Sequence, residues 1–249
     1  MEKIQISNKQ GQRLAGLTSG LKQEYKAILL NCHGFRGAKE NNGRLPVLAD
    51  KLGKINIALF AFDFSGNGEI EGKFASITLS RQVEKVRNML DYLHSISELP
   101  IILQGRSFGG ATAIAAAAIY KQVQAVSLWS TLVHLEATFR HMLGYAYSLL
   151  LDKKQLLLPG DPDSFMLKSD ILQDFANHDM KKYLQMLKDI PCLIVHGLAD
   201  KVILPDNAQY VKSLIPAAEL HFIAGADHSF TGMEAIREDL TVEFLQKLF

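Results

Sequence analysis

One serine lies between two glycines where an apolar run gives way to an alanine-rich one, in LPIILQGRSFGGATAIAAAA, residues 99–118. IILQG reads as a buried strand and the alanines as a helix, so Ser107 falls on the turn between them. Such a sharp turn holds the serine in a sparsely populated backbone conformation and lifts its hydroxyl off the end of the strand. It needs small neighbours, and Gly105 and Gly109 supply them. G-x-S-x-G is weak as a bare pattern. Placed between a strand and a helix, it marks a nucleophile elbow.

A serine hydroxyl is a poor nucleophile near neutral pH and needs a base, itself oriented by a carboxylate. Of the eight histidines, His228 in AGADHSF is on a loop between the last apolar strand and the final helix, at the sheet's carboxyl edge. That is where functional groups gather. His94 is near a helix end, His221 is inside a strand, and His134, His141 and His178 belong to a segment that interrupts the strand–helix alternation. His196 ends a strand in IVHGLAD, where packing and a backbone hydrogen bond are expected. For the carboxylate, HGLADKVILP offers Asp200 on the loop after the next-to-last strand, while Asp206 better fits a helix cap. The order Ser107, Asp200, His228 is the one expected for an elbow above a parallel sheet. Acyl transfer also requires donors for an oxyanion. The expected donors are the N–H of Phe108, directly after the nucleophile, and, by analogy with such loops, that of Phe35 in CHGFRG, with Gly34 allowing a close approach. His33 reads as a shaping residue.

Elements able to hold these residues follow in order. KIQIS and RLAGLTS, joined by NKQGQ, read as a hairpin. KAILLN precedes a helix in LPVLADKLG, and INIALFAF precedes a glycine-rich loop. A long helix begins near Thr78 or Ser80, either able to cap it, with Val83, Val86, Leu90 and Leu93 on one face. After the alanine-rich helix come QAVSLWS, PCLIVHG, a helix over about 206–215, ELHFIA, and a final helix expected to bury Ile236, Leu240, Phe244 and Leu248. Apolar strands alternating with helices predict an α/β fold, a mostly parallel sheet covered on both faces. Residues 131–190 break the rhythm. ATFRHMLGYAYSLLL and DMKKYLQMLKDI are helical and enclose the turn cluster LPGDPDS, so this segment reads as a helical cap inserted in a single 1–249 domain. Phe139, Met142, Leu143 and Tyr145, with Leu149 and Leu150, are its candidate substrate-binding wall; for each, packing of the cap on the sheet is the alternative.

With 249 residues, 48% of them hydrophobic, the chain can bury one full core. Its 27 basic and 26 acidic residues nearly cancel, with no basic block, so nothing favours nucleic acid or an anionic membrane as partner. No apolar run is long enough to span a bilayer and MEKIQISNKQ lacks a signal peptide's core, so a cytoplasmic protein is expected. Cys32 and Cys192 read as buried free thiols. No histidine–carboxylate cluster has ligand spacing and no glycine-rich phosphate loop accompanies the sheet, so no metal or other cofactor is expected. The partner is a small-molecule ester, and a homodimer is left open.

HGFRGAKE, AFDFSGNGEIEGKF, GRSFGG, PCLIVHGLADKVILP and GADHSF resemble the motifs of α/β-hydrolase fold serine esterases, in particular the bacterial group that includes the cinnamoyl (feruloyl) esterases. The resemblance covers nearly the whole chain apart from the cap. It implies the fold, the Ser107–His228–Asp200 triad and an oxyanion hole from Phe35 and Phe108, the residues already reached by position. Asp63 and the glycines of FDFSGNG correspond to the group's loop after the fourth strand, a structural wall of the site. Where many members of the group have histidine or another residue before the nucleophile, this chain has Arg106, a large cation beside the serine that could affect substrate preference. The cap has little to match, so no hydroxycinnamate preference is carried over. The implied activity is hydrolysis of small carboxylic esters through an acyl-enzyme on Ser107. A thioesterase or serine peptidase of the same fold would use the same machinery. A peptidase acting on free N-termini would need a cap carboxylate, with Asp170, Asp174 and Asp179 available. A ligand-binding homologue without the chemistry is the alternative from another class, and the intact set of three residues argues against it.

Overall fold

In the computed structural model, which describes residues 1–7, 13–64, 74–159 and 164–249, the apolar runs assemble into an eight-stranded sheet. β1 (Glu2–Ser7) and β2 (Arg13–Thr18) pair antiparallel as the expected hairpin; its connection, 8–12, lies outside the described residues. There follow β3 (Ala27–Cys32), α1 (Leu45–Gly53), β4 (Ile57–Phe62), α2 (Leu79–Ile96), β5 (Ile101–Arg106), α3 (Phe108–Ile119) and β6 (Val123–Trp129). After an insertion, β9 (Cys192–Gly197), α8 (Asp206–Leu214), β10 (Glu219–Ile223) and α9 (Glu234–Gln246) complete the order β1-β2-β4-β3-β5-β6-β9-β10. β2 is antiparallel to both its neighbours; every other pairing is parallel. The mostly parallel α/β reading holds.

Alternate side chains of a strand leave by opposite faces. Ile28, Leu30 and Cys32 of β3 pack with residues of α2, α3 and α8, whereas Ala27 and Leu29 pack with α1 and α9. Both faces are thus covered, which is why every residue of β3 and β4 is buried, without alternation. In α3 every residue from Phe108 to Ala118 is buried, and the small alanines let the helix lie close to β5. Thr78 caps α2, its Oγ1 accepting from the Arg81 N–H at 3.2 Å. Cys32 and Cys192 are free and buried, and burial pushes both thiols up to about 12.

Two expectations need correction. In α9 the buried residues are Arg237, Glu238, Thr241, Phe244 and Leu245, while Ile236 is 39% and Leu248 40% exposed and Leu240 is half-buried. The cause is a set of polar partners on other elements. Arg44 donates to Glu238 at 2.9 and 2.6 Å, Lys51 lies 3.1 Å from the same carboxylate, and the Trp129 indole N–H donates to Thr241 Oγ1 at 3.0 Å. The insertion, moreover, is not wholly helical. It runs through α4 (Leu135–Leu143), α5 (Tyr145–Lys153), β7 (Gln155–Leu158), β8 (Phe165–Lys168), α6 (Asp170–Asp174) and α7 (Met180–Met186), with β7 and β8 paired antiparallel. QLLL and FMLK are thus short strands flanking LPGDPDS, whose residues 160–163 lie outside the described residues. No helix among the described residues is long and apolar enough to cross a membrane.

Candidate active site

Ser107 directly follows β5 and precedes α3 with φ +56° and ψ −122°, outside the regions ordinary residues occupy. Its N–H donates to the Trp129 carbonyl at 2.9 Å, and its hydroxyl makes no capping bond to the helix it introduces. Strand and helix nearly touch: a Cβ on Gly109 would lie 2.2 Å from the Cys32 carbonyl oxygen, and one on Gly105 2.4 Å from that of Gly109. The loop after β3 leans on the serine, since a Cβ on Gly34 would stand 3.1 Å from Ser107 Cβ. Phe35 follows in a turn closed by the Gly37 N–H on the Gly34 carbonyl at 2.9 Å. Phe108 opens α3, so its N–H is one of those a helix start leaves without an intrahelical partner.

The His228 Nδ1–H donates to Asp200 Oδ2 at 2.8 Å, while Asp200 Oδ1 accepts the Val202 and Ile203 N–H groups at 2.9 Å each. Burial pushes the Asp200 carboxyl up, but the bonds from His228 and these two N–H groups outweigh it and hold the pKa below the usual carboxylate range. With its Nδ1 proton directed at Asp200, a neutral His228 ring keeps Nε2 as a base. The loops meet at a backbone bond, Ala199 N–H to the Ala226 carbonyl at 3.0 Å. Arg106, next to Ser107, reaches Ser229 Oγ at 3.1 Å and the His228 carbonyl at 3.5 Å, which ties the serine's segment to the histidine's loop, while no hydrogen bond joins Ser107 to His228 among the described residues. Asp206 sits at the start of α8, its carboxylate accepting from the Asn207 side chain.

The other seven histidines have partners of their own, although His196 Nε2 also lies 3.5 Å from Asp200 Oδ2. His196 donates to the Ile203 carbonyl at 2.9 Å, as expected of it, and burial lowers its pKa. His33 accepts the Phe64 N–H on Nε2 at 3.0 Å, and burial lowers its pKa too; an imidazolium could not accept that bond. His94 bonds the Leu90 carbonyl, His141 that of Lys201, and His221 the Glu219 carboxylate, while His134 packs on Tyr210. His178 meets Ser80 at 2.9 Å and lies 3.3 Å from Asp174.

The loop carrying Phe35 is braced by buried charge. Lys39 gives Asp63 both its backbone N–H, at 2.8 Å, and its ammonium, at 2.7 Å. Burial works against that ammonium, but the bonds to Asp63 and Glu40 outweigh it and raise its pKa. Asp63 is therefore a structural anchor; the glycines of FDFSGNG lie outside the described residues. The Phe35 ring meets Phe74, Phe139, Phe165 and Phe108 edge-on, with centroids 5.0 to 6.2 Å apart. Phe139 is fully buried in this cluster, so packing accounts for it. Met142 and Leu143 are half-buried against the core and Tyr145 is 78% exposed. Tyr145, the first residue of α5 after Gly144 at φ +52°, thus lines no enclosed wall. Phe35, Phe74 and Phe165 keep partial exposure in this ring cluster, with the Arg36 guanidinium 4.3 Å from the Phe165 ring centroid. Sequence reasoning passed over Phe74 and Phe165 because each is a lone aromatic in a short segment without periodicity.

The chain folds as an α/β-hydrolase. Over residues 23–189 it matches the serine aminopeptidase S33 family and belongs to that family. The matched span holds Ser107 and ends before Asp200 and His228. Est1E from Butyrivibrio proteoclasticus, solved with ferulic acid bound, superposes with a TM-score of 0.87 at 21% identity, covering 98% of each chain; at that identity the likeness is one of fold. Monoglyceride lipase of Rattus norvegicus is 35% identical over 97 residues, 37% of this chain and 30% of the lipase, so less than a third of that relative is spanned. The uncharacterized protein YfhR of Escherichia coli O157:H7 is 24% identical over 217 residues, 86% of this chain and 68% of YfhR. The resemblance to α/β-hydrolase esterases read from the motifs is borne out in family and fold.

Proposed function

We propose that this hydrolase is a serine carboxylesterase acting on small carboxylic esters through an acyl-enzyme on Ser107. The observation that carries the reading is the 2.8 Å bond from His228 Nδ1 to Asp200 Oδ2, which assigns the ring proton and leaves Nε2 to take that of Ser107. The Ser107 oxygen attacks the ester carbonyl as His228 accepts its proton. Asp200 holds the ring and stabilises the imidazolium. The N–H groups of Phe35 and Phe108 receive the oxyanion. Collapse expels the alcohol, protonated by His228, and water then repeats the sequence on the acyl-enzyme. The half-exposed rings of Phe35, Phe74 and Phe165 favour an apolar acyl group. An aminopeptidase reading gains no support from the insertion's carboxylates: Asp174 is committed to Ser80 and His178, Asp179 caps α7 by accepting the Lys182 N–H, and Asp170 is exposed on α6.

The test is turnover of p-nitrophenyl acetate, butyrate and octanoate, with fluorophosphonate labelling, by wild type and Ser107→Ala. Ester turnover and labelling that both vanish in the variant are expected. A wild type that is labelled but leaves every ester intact would instead direct the reading to thioesters or peptides.

A further inference from the structure

Arg106 stands directly before Ser107, and its side chain runs to the loop that carries His228. Its Nη2 donates to Ser229 Oγ at 3.1 Å and reaches the His228 carbonyl at 3.5 Å. From α9, Arg237 donates Nη1–H to the Ser229 carbonyl at 3.1 Å, its guanidinium lying 4.8 Å from the Trp129 ring centroid and 5.3 Å from that of Phe230. The residue after His228 is therefore held by a guanidinium on its hydroxyl and another on its carbonyl. The same loop is tightened by Asp227, which accepts the Ser229 and Thr231 N–H groups at 2.9 Å each, and it keeps Phe230 buried at φ +59°.

This arrangement is costly. Burial lowers the pKa of both arginines, that of Arg237 to about 10. Among the described residues neither forms an ion pair, and the Nε of each is buried without a hydrogen-bond partner. Asp200 and Asp227 act on Arg106, and Glu234 and Glu238 on Arg237, only through space, and burial outweighs them. What a guanidinium adds over an apolar side chain is a rigid fork of donors, and here the donors go to the backbone and side chain beside His228.

We propose that Arg106 is a positioning residue: braced by Arg237, it acts through Ser229 to set the place of His228 relative to Ser107. One end of the strut is covalently next to the nucleophile and the other is bonded to the neighbour of the base. Nothing reacting is touched. The inference rests on the reading of Ser107 and His228 as nucleophile and base.

The experiment measures kcat and KM for p-nitrophenyl acetate, melting temperature and fluorophosphonate labelling in wild type, Arg106→Gln, Arg106→Lys, Ser229→Ala and the Arg106→Gln/Ser229→Ala double variant. Misplacing a catalytic group by about 1 Å costs up to roughly 100-fold, so Arg106→Gln loses about 10- to 100-fold in kcat with KM little changed. Arg106→Lys, retaining one charged donor, recovers part of it. Because the two side chains act in series, the double variant is no slower than Arg106→Gln alone. A folded Arg106→Gln with wild-type kcat, or losses that multiply in the double variant, overturns the proposal. Should Arg106→Gln fail to fold, Ser229→Ala decides alone: unchanged kcat refutes the strut. A wild type neither labelled nor active sinks the nucleophile reading itself, a result distinct from an active wild type indifferent to Arg106.

Discussion

Replacing Asp200 with Asn changes one atom, and the surrounding bonds dictate which way the amide must face. Oδ1 accepts two backbone N–H groups, from Val202 and Ile203, so the Asn oxygen must stay there or leave both donors unpaired in a buried site. The amide NH2 then takes the place of Oδ2, 2.8 Å from His228 Nδ1. Two donors cannot face one another, so the ring shifts its proton to Nε2 and Nδ1 becomes the acceptor. Under the proposed mechanism the nitrogen that serves as base is then protonated. Loss of the correct tautomer in a serine–histidine–aspartate site costs about 10⁴ in kcat, or about 5 kcal/mol of barrier. The assay is steady-state hydrolysis of p-nitrophenyl acetate by Asp200→Asn, with far-UV dichroism to confirm folding and Asp206→Asn as comparison. Asp206→Asn should stay near wild type. An Asp200→Asn enzyme that is folded and within tenfold of wild type would refute this chain of reasoning, and a larger loss in Asp206→Asn would transfer the orienting role.

Burial works against the Asp174 carboxylate, but bonds from His178 and Ser80 outweigh it and hold the pKa near about 2. Its folded-state pKa is depressed, so its stabilisation is complete above about pH 4 and lost as pH falls through about 2. Asp174→Asn should therefore cost on the order of 2 kcal/mol near neutral pH and much less near pH 2.5, read from urea midpoints. Thr241→Val strands the indole N–H of Trp129, the chain's one tryptophan, and should destabilise by about 1–3 kcal/mol, followed by its fluorescence on unfolding. With both thiols pushed up to about 12 by burial, Cys32 and Cys192 should resist a disulfide-exchange reagent at pH 8 in the native protein and react only once it is denatured.

Features set by neighbours along the chain were legible in the sequence, and features set by distant partners were not. The elbow at Ser107 is a local constraint, since strand, glycine, serine, glycine and helix all fall within twenty residues. Asp200 and His228, joined by a 2.8 Å bond, could be paired because strand ends order them on one edge of the sheet. The buried face of α9 was misjudged because Arg237, Glu238 and Thr241 are drawn inward by Ser229, Arg44 and Trp129, contacts that hydrophobic periodicity does not register. β7 and β8 are four residues each, too short to show an alternation. Arg106 was recognisable as a cation beside the serine, but its direction was not, because its partners lie 122 and 123 residues further on.

The claim that Ser107 forms a covalent intermediate is tested most directly by peptide mass mapping after reaction with a fluorophosphonate. One adduct per chain on the peptide bearing Ser107, absent from Ser107→Ala and slowed in His228→Ala, is the predicted result. An unmodified wild type, or an adduct on any other serine, would contradict it.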